Sequence, residues 1–415
     1  LTFFYRIAVT FYHLAVRLAA LFGVKQARLW VEGRKNTASS SLPLHLRSGA
    51  RNGTPLIWMH CASLGEFEQG RPVLEELRSA RPDWRVLLTF YSPSGFERCK
   101  DEPLADHVAY LPADGPRRAT QWLEEVEPEV AIFVKYEFWY FHLRALHQAA
   151  IPTFLIAASF RPSQWFFRSL GGWWRRMLGF FTAIIVQTEG DRSLLTGPGQ
   201  IDPSAVIVAG DPRMDRTLQL ARTPFSDKIL ESFTHGDNVT IIAGSVWPQD
   251  VACWEQVWDQ LPSDYRLILA PHQLHENEIQ HWESRFQAVR YTRATAENVN
   301  KSRVLILDTI GILSRAYRYG KIAYVGGGFK TGLHNTLEPM AYGLPVIFGP
   351  KYQKFPEAAE AIKRGGAFSI GNSNELTEAI KKSFNGAAST AQEELCNDNS
   401  GAGLRTAQAV LNHLP

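Results

Sequence analysis

At 415 residues the chain is too long for one core of the usual ~100–200 residues, so two domains are expected. Its 45% hydrophobic and 20% charged content is that of a folded protein, and four scattered cysteines (Cys61, Cys99, Cys253, Cys396) without zinc or redox spacing exclude a disulfide scaffold and favour a reducing compartment. The net charge of +3 hides an asymmetry: residues 1–50 carry +6 and the rest −3, which argues against nucleic acid as a partner and for an anionic membrane surface.

Residues 1–24 (LTFFYRIAVTFYHLAVRLAALFGV) place Arg6, Thr10, His13 and Arg17 within a stripe of about 60° on a helix. The opposite face carries Phe3, Phe4, Ile7, Phe11, Leu14, Leu18, Leu21 and Phe22. Ten uncharged residues separate Arg6 from Arg17, short of the ~20 that span a bilayer. No small-residue cleavage site follows, so a signal peptide is disfavoured too. The pattern predicts a helix lying in the membrane interface with its basic residues toward headgroups. The alternative is an amphipathic helix packed on its own protein.

From residue 54 short apolar runs alternate with helical segments. Strands are predicted at 56–61, 85–90, 130–134, 153–158, 183–187 and 206–209, with helices between them, as at 67–80 and 138–150. A polar stretch at 215–238 reads as a join. A second series follows at 239–244, 266–270, 303–307, 321–325 and 345–348. This alternation predicts two α/β, doubly wound parallel-sheet domains, which bind ligands outside the carboxyl ends of their strands. The expected division is a membrane-associated segment at 1–50, a first domain at 51–220 and a second at 221–415, with the last helix packing back on the first domain.

The motifs fall at those strand ends. His60-Cys61-Ala62-Ser63-Leu64-Gly65-Glu66 runs from a strand through a small-residue turn into a helix. Glu66 there can serve as a general base, or close a capping box with Ser63, and a helix start lowers a carboxylate's pKa. Lys135 and Glu137 follow the next predicted strand and can orient a substrate or form a helix start. Arg161 has the fork geometry for a carboxylate or phosphate, and is otherwise a surface residue. The basic aromatic stretch at 165–176 reads as core or as an extension of the membrane face. Gly210-Asp211-Pro212-Arg213 is a turn, either lining a site or solvated. Gly244-Ser245-Val246-Trp247-Pro248 predicts free amides at a helix start, an anion site. His272, His275 and Glu278 lack metal-site spacing, so a phosphate contact through His272 is preferred over a metal. The segment 324–339 carries a strand into Gly326-Gly327-Gly328, then His334, Asn335 and Glu338. Its glycines suit close approach of an anion, and Glu338 suits ribose hydroxyls or a second capping box with Asn335.

Taken in order, these segments resemble the bacterial 3-deoxy-D-manno-octulosonic acid (Kdo) transferases, over nearly the whole chain to about residue 365. The most specific pieces are 60–66, Asp308-Thr309-Ile310-Gly311, Val325-Gly326-Gly327 and His334-Asn335-Thr336-Leu337-Glu338-Pro339. The resemblance implies a GT-B fold, two Rossmann-like domains facing across a cleft. It implies inverting transfer from CMP-Kdo to a lipid A precursor (lipid IVA) on the cytoplasmic face of the inner membrane, with no metal and no cofactor. Glu66 would be the catalytic base, with Ser63, Gly65, Lys135, Glu137 and Arg161 on the acceptor side. Asp211, Arg213, Ser245, His272, Asp308, Thr309, Gly311, Gly326, Gly327, His334, Asn335 and Glu338 would bind the donor. The sequence departs from the family's usual pattern at His272, where the motif is commonly Pro-Arg-His. It departs again at Val246-Trp247, commonly Thr-His, and at Ile312, commonly acidic. A GT-B enzyme using a UDP-sugar, or a membrane-bound scaffold without activity, are the competing readings.

Overall fold

The computed structural model describes residues 1–36, 54–330, 332–384 and 386–414. Arg47 and the expected boundary at residue 50 lie outside the described residues. Two compact units form: residues 1–216 with 401–415, and residues 217–400.

The first unit is built on a seven-stranded parallel sheet. Its strands are β1 (Leu56–Cys61), β2 (Arg85–Phe90), β3 (His107–Tyr110), β4 (Val130–Val134), β5 (Thr153–Ala158), β6 (Ala183–Val186) and β7 (Val206–Val208), in the order β3-β2-β1-β4-β5-β6-β7. Parallel strands must be covered on both faces. In β1 this alternates: Leu56 and Trp58 enter one apolar layer, Ile57, Met59 and Cys61 the other. Strand order reverses between β1 and β4. Connections leave in opposite directions there, so a crevice opens at the carboxyl ends of these two strands.

The second unit repeats the plan with β8 (Val239–Val246), β9 (Tyr265–Pro271), β10 (Val289–Arg290), β11 (Val304–Ile306), β12 (Ile322–Val325), β13 (Val346–Phe348) and β14 (Ala367–Ser369). Their order is β10-β11-β9-β8-β12-β13-β14, all parallel, and the reversal falls between β8 and β12. Three strands, β3, β10 and β14, go beyond the sequence expectation. All are sheet edges of two to four residues, too short to carry a periodic signal. The polar join at 215–238 is helical at Pro212–Arg222 and Lys228–Thr234.

Two helices, α1 (Thr2–Leu21) and α2 (Lys25–Asn36), precede the first sheet. By length and composition α1 is apolar enough to cross a membrane, against the expectation drawn from Arg6 and Arg17. Of its polar stripe only His13 turns inward, buried beside Trp30 with ring centroids 5.2 Å apart; off the stripe, Tyr5 donates to Asp114 at 2.6 Å. Arg6, Thr10 and Arg17 are exposed. So are Phe3, Phe4, Phe11, Leu21 and Phe22, each by more than 65%.

The carboxyl-terminal helix Ala402–Leu411 packs on α3 (Leu64–Ala80) within the first unit. Gly403 makes this approach possible, because a Cβ there would stand 2.9 Å from Cβ of Pro72. The helix has no side-chain cap of its own. Asp215 supplies one, accepting from the amides of Gly401 and Gly403 at 2.5 and 2.6 Å. Losing such a cap costs about 1–2 kcal/mol. Asp215→Ala should therefore speed amide exchange in 402–411 by about tenfold, at 1.4 kcal/mol per decade, and leave 239–348 unchanged. Hydrogen exchange read by mass spectrometry checks this.

Candidate active site

The first unit's reversal point gathers the residues that follow β1 and β4. At the end of β1, Ala62 and Ser63 lead into α3. Ser63 and Glu66 form the capping box, with Glu66 Oε2 accepting from the amides of Ala62 and Ser63, the latter at 3.2 Å. The capping and functional readings of Glu66 thus share one geometry. The carboxylate is fixed by the helix start and partly open to the crevice. A Cβ on Gly65 would meet nothing within 4 Å, so the space in front of this turn is free.

At the end of β4, Lys135 holds φ = +68°, a left-handed conformation that costs a non-glycine residue free energy. That turn sends Glu137 inward, where it is 6% exposed. Its Oε2 accepts from His60 Nε2 at 2.9 Å and from Trp139 Nε1 at 2.5 Å. The other His60 nitrogen faces Thr89 Oγ1 at 2.9 Å, and Trp58 Nε1 donates to that hydroxyl at 2.8 Å. Glu137 is neither a helix-start acid nor an exposed contact, since the next helix begins at Tyr140. It is the end of a buried polar chain spanning β1, β2 and β4.

This chain sets the charge field around Glu66. Burial pushes the Glu66 carboxyl up to about 7, and the neighbouring Glu137 adds to the rise. The two amide bonds and Lys135 act the other way and lose. The helix start lowers the pKa as expected from sequence, but burial outweighs it.

In the second unit, the ends of β8, β9 and β12 bring Trp247, His272 and His334 together. The imidazoles of His272 and His334 stack at 4.1 Å, and Trp247 lies 4.5 Å from His272. Trp247 Nε1 donates to His334 Nε2 at 3.0 Å. Lys330 Nζ stands 3.4 Å from the Trp247 ring centroid. Burial, then His272, takes His334 down to about 4, and burial with Lys330 lowers His272. Lys330 brings a basic side chain to this cluster.

The helix-start anion site expected near Pro248 is already occupied. Asp250 accepts from the amides of Trp247 and Gly327, both at 2.9 Å, and from the hydroxyl of Tyr324. Ser245 lies within β8 at φ = +54°, where the register with β9 shifts. Gly326 serves close backbone packing, since a Cβ there would stand 2.3 Å from Ser245 O, and Gly327 turns the chain at φ = +94°. Asn335 Nδ2 donates to Glu338 Oε1 at 3.1 Å, and burial raises the Glu338 pKa. The helix there begins at Leu337 with Thr336 as its cap, one residue later than expected.

Ser63, Gly65, Glu66, Lys135 and Glu137 thus share one reversal point, and Ser245, His272, Gly326, Gly327 and His334 the other, with Asn335 and Glu338 following on the same segment. The remaining candidates stand apart. Asp308 accepts from Thr292 at the end of β11, followed by Thr309 and by Gly311 at φ = +96°. Arg213 is paired with Asp211 at 2.6 Å within the first unit. Arg161 is exposed, its amide bonded to Gln164. Among the described residues no group of three or more His, Cys, Asp or Glu could hold a metal. Sequence reasoning gave no role to His60, Trp139 or Lys330. The strand position of His60 was a usable signal, whereas its pairing with Glu137, 77 residues away, was not.

A carboxyl raised to about 7 has a stability consequence. The unfolded chain ionises Glu66 near 4.5, so stability falls as pH rises from there through about 7. Glu66→Gln keeps an acceptor for the two amides and removes that loss. Above neutral pH its Tm should exceed that of the unsubstituted protein by several degrees, the difference closing toward pH 4.5. Calorimetry across that range checks this.

Residues 35–216 match the family model described as 3-deoxy-D-manno-octulosonic-acid transferase (kdotransferase). A 3-deoxy-D-manno-octulosonic acid transferase of Aquifex aeolicus is 28% identical, over 80% of this chain and 87% of its own. Its namesake from Chlamydia trachomatis serovar A is 26% identical, over 79% and 77%. In fold, the chain is similar to the UDP-GlcNAc 2-epimerase of Neisseria meningitidis bound to UDP-GlcNAc. The TM-score is 0.62 at 15% identity, covering 86% of this chain and 100% of that one. With two doubly wound units of GT-B type, the chain carries a match to the Kdo transferase domain over residues 35–216 and is similar to named Kdo transferases along about four fifths of its length.

Proposed function

We propose that this enzyme moves Kdo from CMP-Kdo to a hydroxyl of a lipid A precursor, lipid IVA, with inversion and without a metal ion. The observation that carries the reading is Glu66, a half-buried carboxyl raised to about 7 at the reversal point of the unit that matches the family model. A base poised near neutrality can take a proton without being permanently protonated. As Glu66 removes the acceptor hydroxyl's proton, the freed oxygen bonds to the anomeric carbon. The bond to the CMP phosphate breaks, and its electron pair leaves with CMP. Glu66 then returns its proton to water. Lys135 and Arg161 supply positive charge for an anionic acceptor.

On the donor side, Ser245, His272, Gly326, Gly327 and His334 would bind the nucleotide, with Asp308, Thr309 and Gly311 of the same unit as further candidates; Asp211 and Arg213, in the first unit, pair with each other. Asn335 holds Glu338 to receive the ribose hydroxyls. Because Asp250 already accepts from the Trp247 and Gly327 amides, Lys330, over the Trp247 ring, is the side chain we assign to the developing phosphate charge. The exposed apolar face of α1 supports attachment at the cytoplasmic face of the inner membrane, with α1 in the interface.

Transfer from CMP-Kdo to lipid IVA should persist in EDTA. Glu66→Gln should cut it by about 10²–10⁴, the usual worth of a general base, while thermal stabilisation by CMP is unchanged. Lys330→Ala should weaken CMP binding by about tenfold, for one charge-assisted contact of ~1.5 kcal/mol. Stabilisation by UDP in place of CMP would turn the reading to a UDP-sugar. CMP binding without any turnover by the intact enzyme would leave a silent scaffold.

A further inference from the structure

Beneath α1 the first unit forms a half-open cavity of about 1570 Å³. Its wall carries six arginines: Arg6 and Arg17 from α1, Arg28 and Arg34 from α2, and Arg117 and Arg118 at the start of the helix Pro116–Val126. Three carboxylates face them, Glu32, Asp114 and Glu125. Asp114 is spent on Tyr5, Phe141 and His142, and Glu32 and Glu125 form no ion pair among the described residues. Arg6, Arg17, Arg117 and Arg118 likewise have no carboxylate within ion-pair distance among the described residues.

The arginines converge. Arg34, Arg118 and Arg17 all act on His13, which burial and these charges take down to about 4. Arg34 is clamped over the Trp30 ring at 3.9 Å and donates to Tyr91 O and Leu111 O, while its Nη1 is buried without a hydrogen-bond partner. Like charges gathered on one wall repel one another. A dianion in the cavity would relieve it, and guanidinium forks suit phosphate oxygens. The cavity has far more room than a bare phosphate fills. Its roof is α1, whose outer face carries exposed phenylalanines and leucines.

We propose that this cavity seats the phosphate headgroup of a membrane lipid, drawn in beneath α1 while the apolar face of α1 rests among acyl chains. The inference rests on the interfacial placement of α1. It is separate from the transfer site, since none of the cavity's lining residues belongs to either strand-end cluster.

Co-sedimentation with vesicles, without donor or acceptor, tests the seat. Phosphatidylcholine vesicles doped with phosphatidic acid, a phosphomonoester, should bind the protein more tightly than vesicles of equal surface charge doped with phosphatidylglycerol. Millimolar inorganic phosphate should not displace it. The double variant Arg117→Gln/Arg118→Gln should lose about thirtyfold in binding to phosphatidic acid vesicles, at ~1 kcal/mol per arginine, with its circular dichroism unchanged. Arg117→Lys/Arg118→Lys keeps the charge but not the fork and should recover only part of that loss. Equal binding to the two anionic vesicles, or full recovery by lysine, would reduce the cavity to surface charge and overturn the seat. Displacement by inorganic phosphate would make it a free-phosphate site. Failure to bind any vesicle would overturn the interfacial α1 as well. Loss of Kdo transfer with vesicle preference intact would instead count against the proposed reaction.

Discussion

Burial of the Glu66 carboxyl at the reversal point between β1 and β4 is the constraint on which the first unit's chemistry rests. Two opposed demands meet there. The start of α3 needs an acceptor for its free amides, and Glu66 supplies it. The same bonds would make the carboxylate a weak base if nothing else acted. Burial and the charge of Glu137 reverse the sign and bring the group to about 7. Glu137 stays in place because His60 and Trp139 hold it, and it reaches that place through the left-handed turn at Lys135. Strain at one residue is thus converted into a charge field at another.

The second unit solves the corresponding problem differently. Its reversal point also joins a strand end to a helix start, but an internal carboxylate, Asp250, closes the amides and ties them to Gly327 and Tyr324. The glycines at 326–328 serve close packing of backbone on backbone. What remains open is the aromatic and cationic group of Trp247, His272, His334 and Lys330. Two of these, Trp247 and His272, are departures from the family's usual pattern, and they touch each other. The departures therefore form one local change. A tryptophan that binds one histidine and stacks near another replaces charged neighbours, and Lys330 over its face keeps a cation in the group.

Much of this was legible in the sequence. Long strands buried on both faces announce themselves as apolar runs, and strand-end motifs in order gave the family and the position of Glu66. Edge strands such as Val289–Arg290 escaped because two residues carry no period. The His60–Glu137 bond joins residues from separate strands, and no local pattern encodes it. Asp250 was invisible for the opposite reason: a helix-start acid reads as ordinary capping, not as the plug of an anion site. The stripe on α1 was read correctly as a stripe, but periodicity gives no direction: His13 turns into the protein, while Arg6 and Arg17 stay exposed at the rim of an open cleft.

The pH dependence of Kdo transfer at saturating donor bears most directly on the claim that burial and Glu137 poise Glu66 as the base. The account predicts an acid limb with its midpoint near 7 in the unsubstituted enzyme, shifted to lower pH in Glu137→Gln, where the neighbouring charge is gone. A rate that stays flat down to the ordinary carboxylate range, or a limb that Glu137→Gln leaves in place, would contradict it.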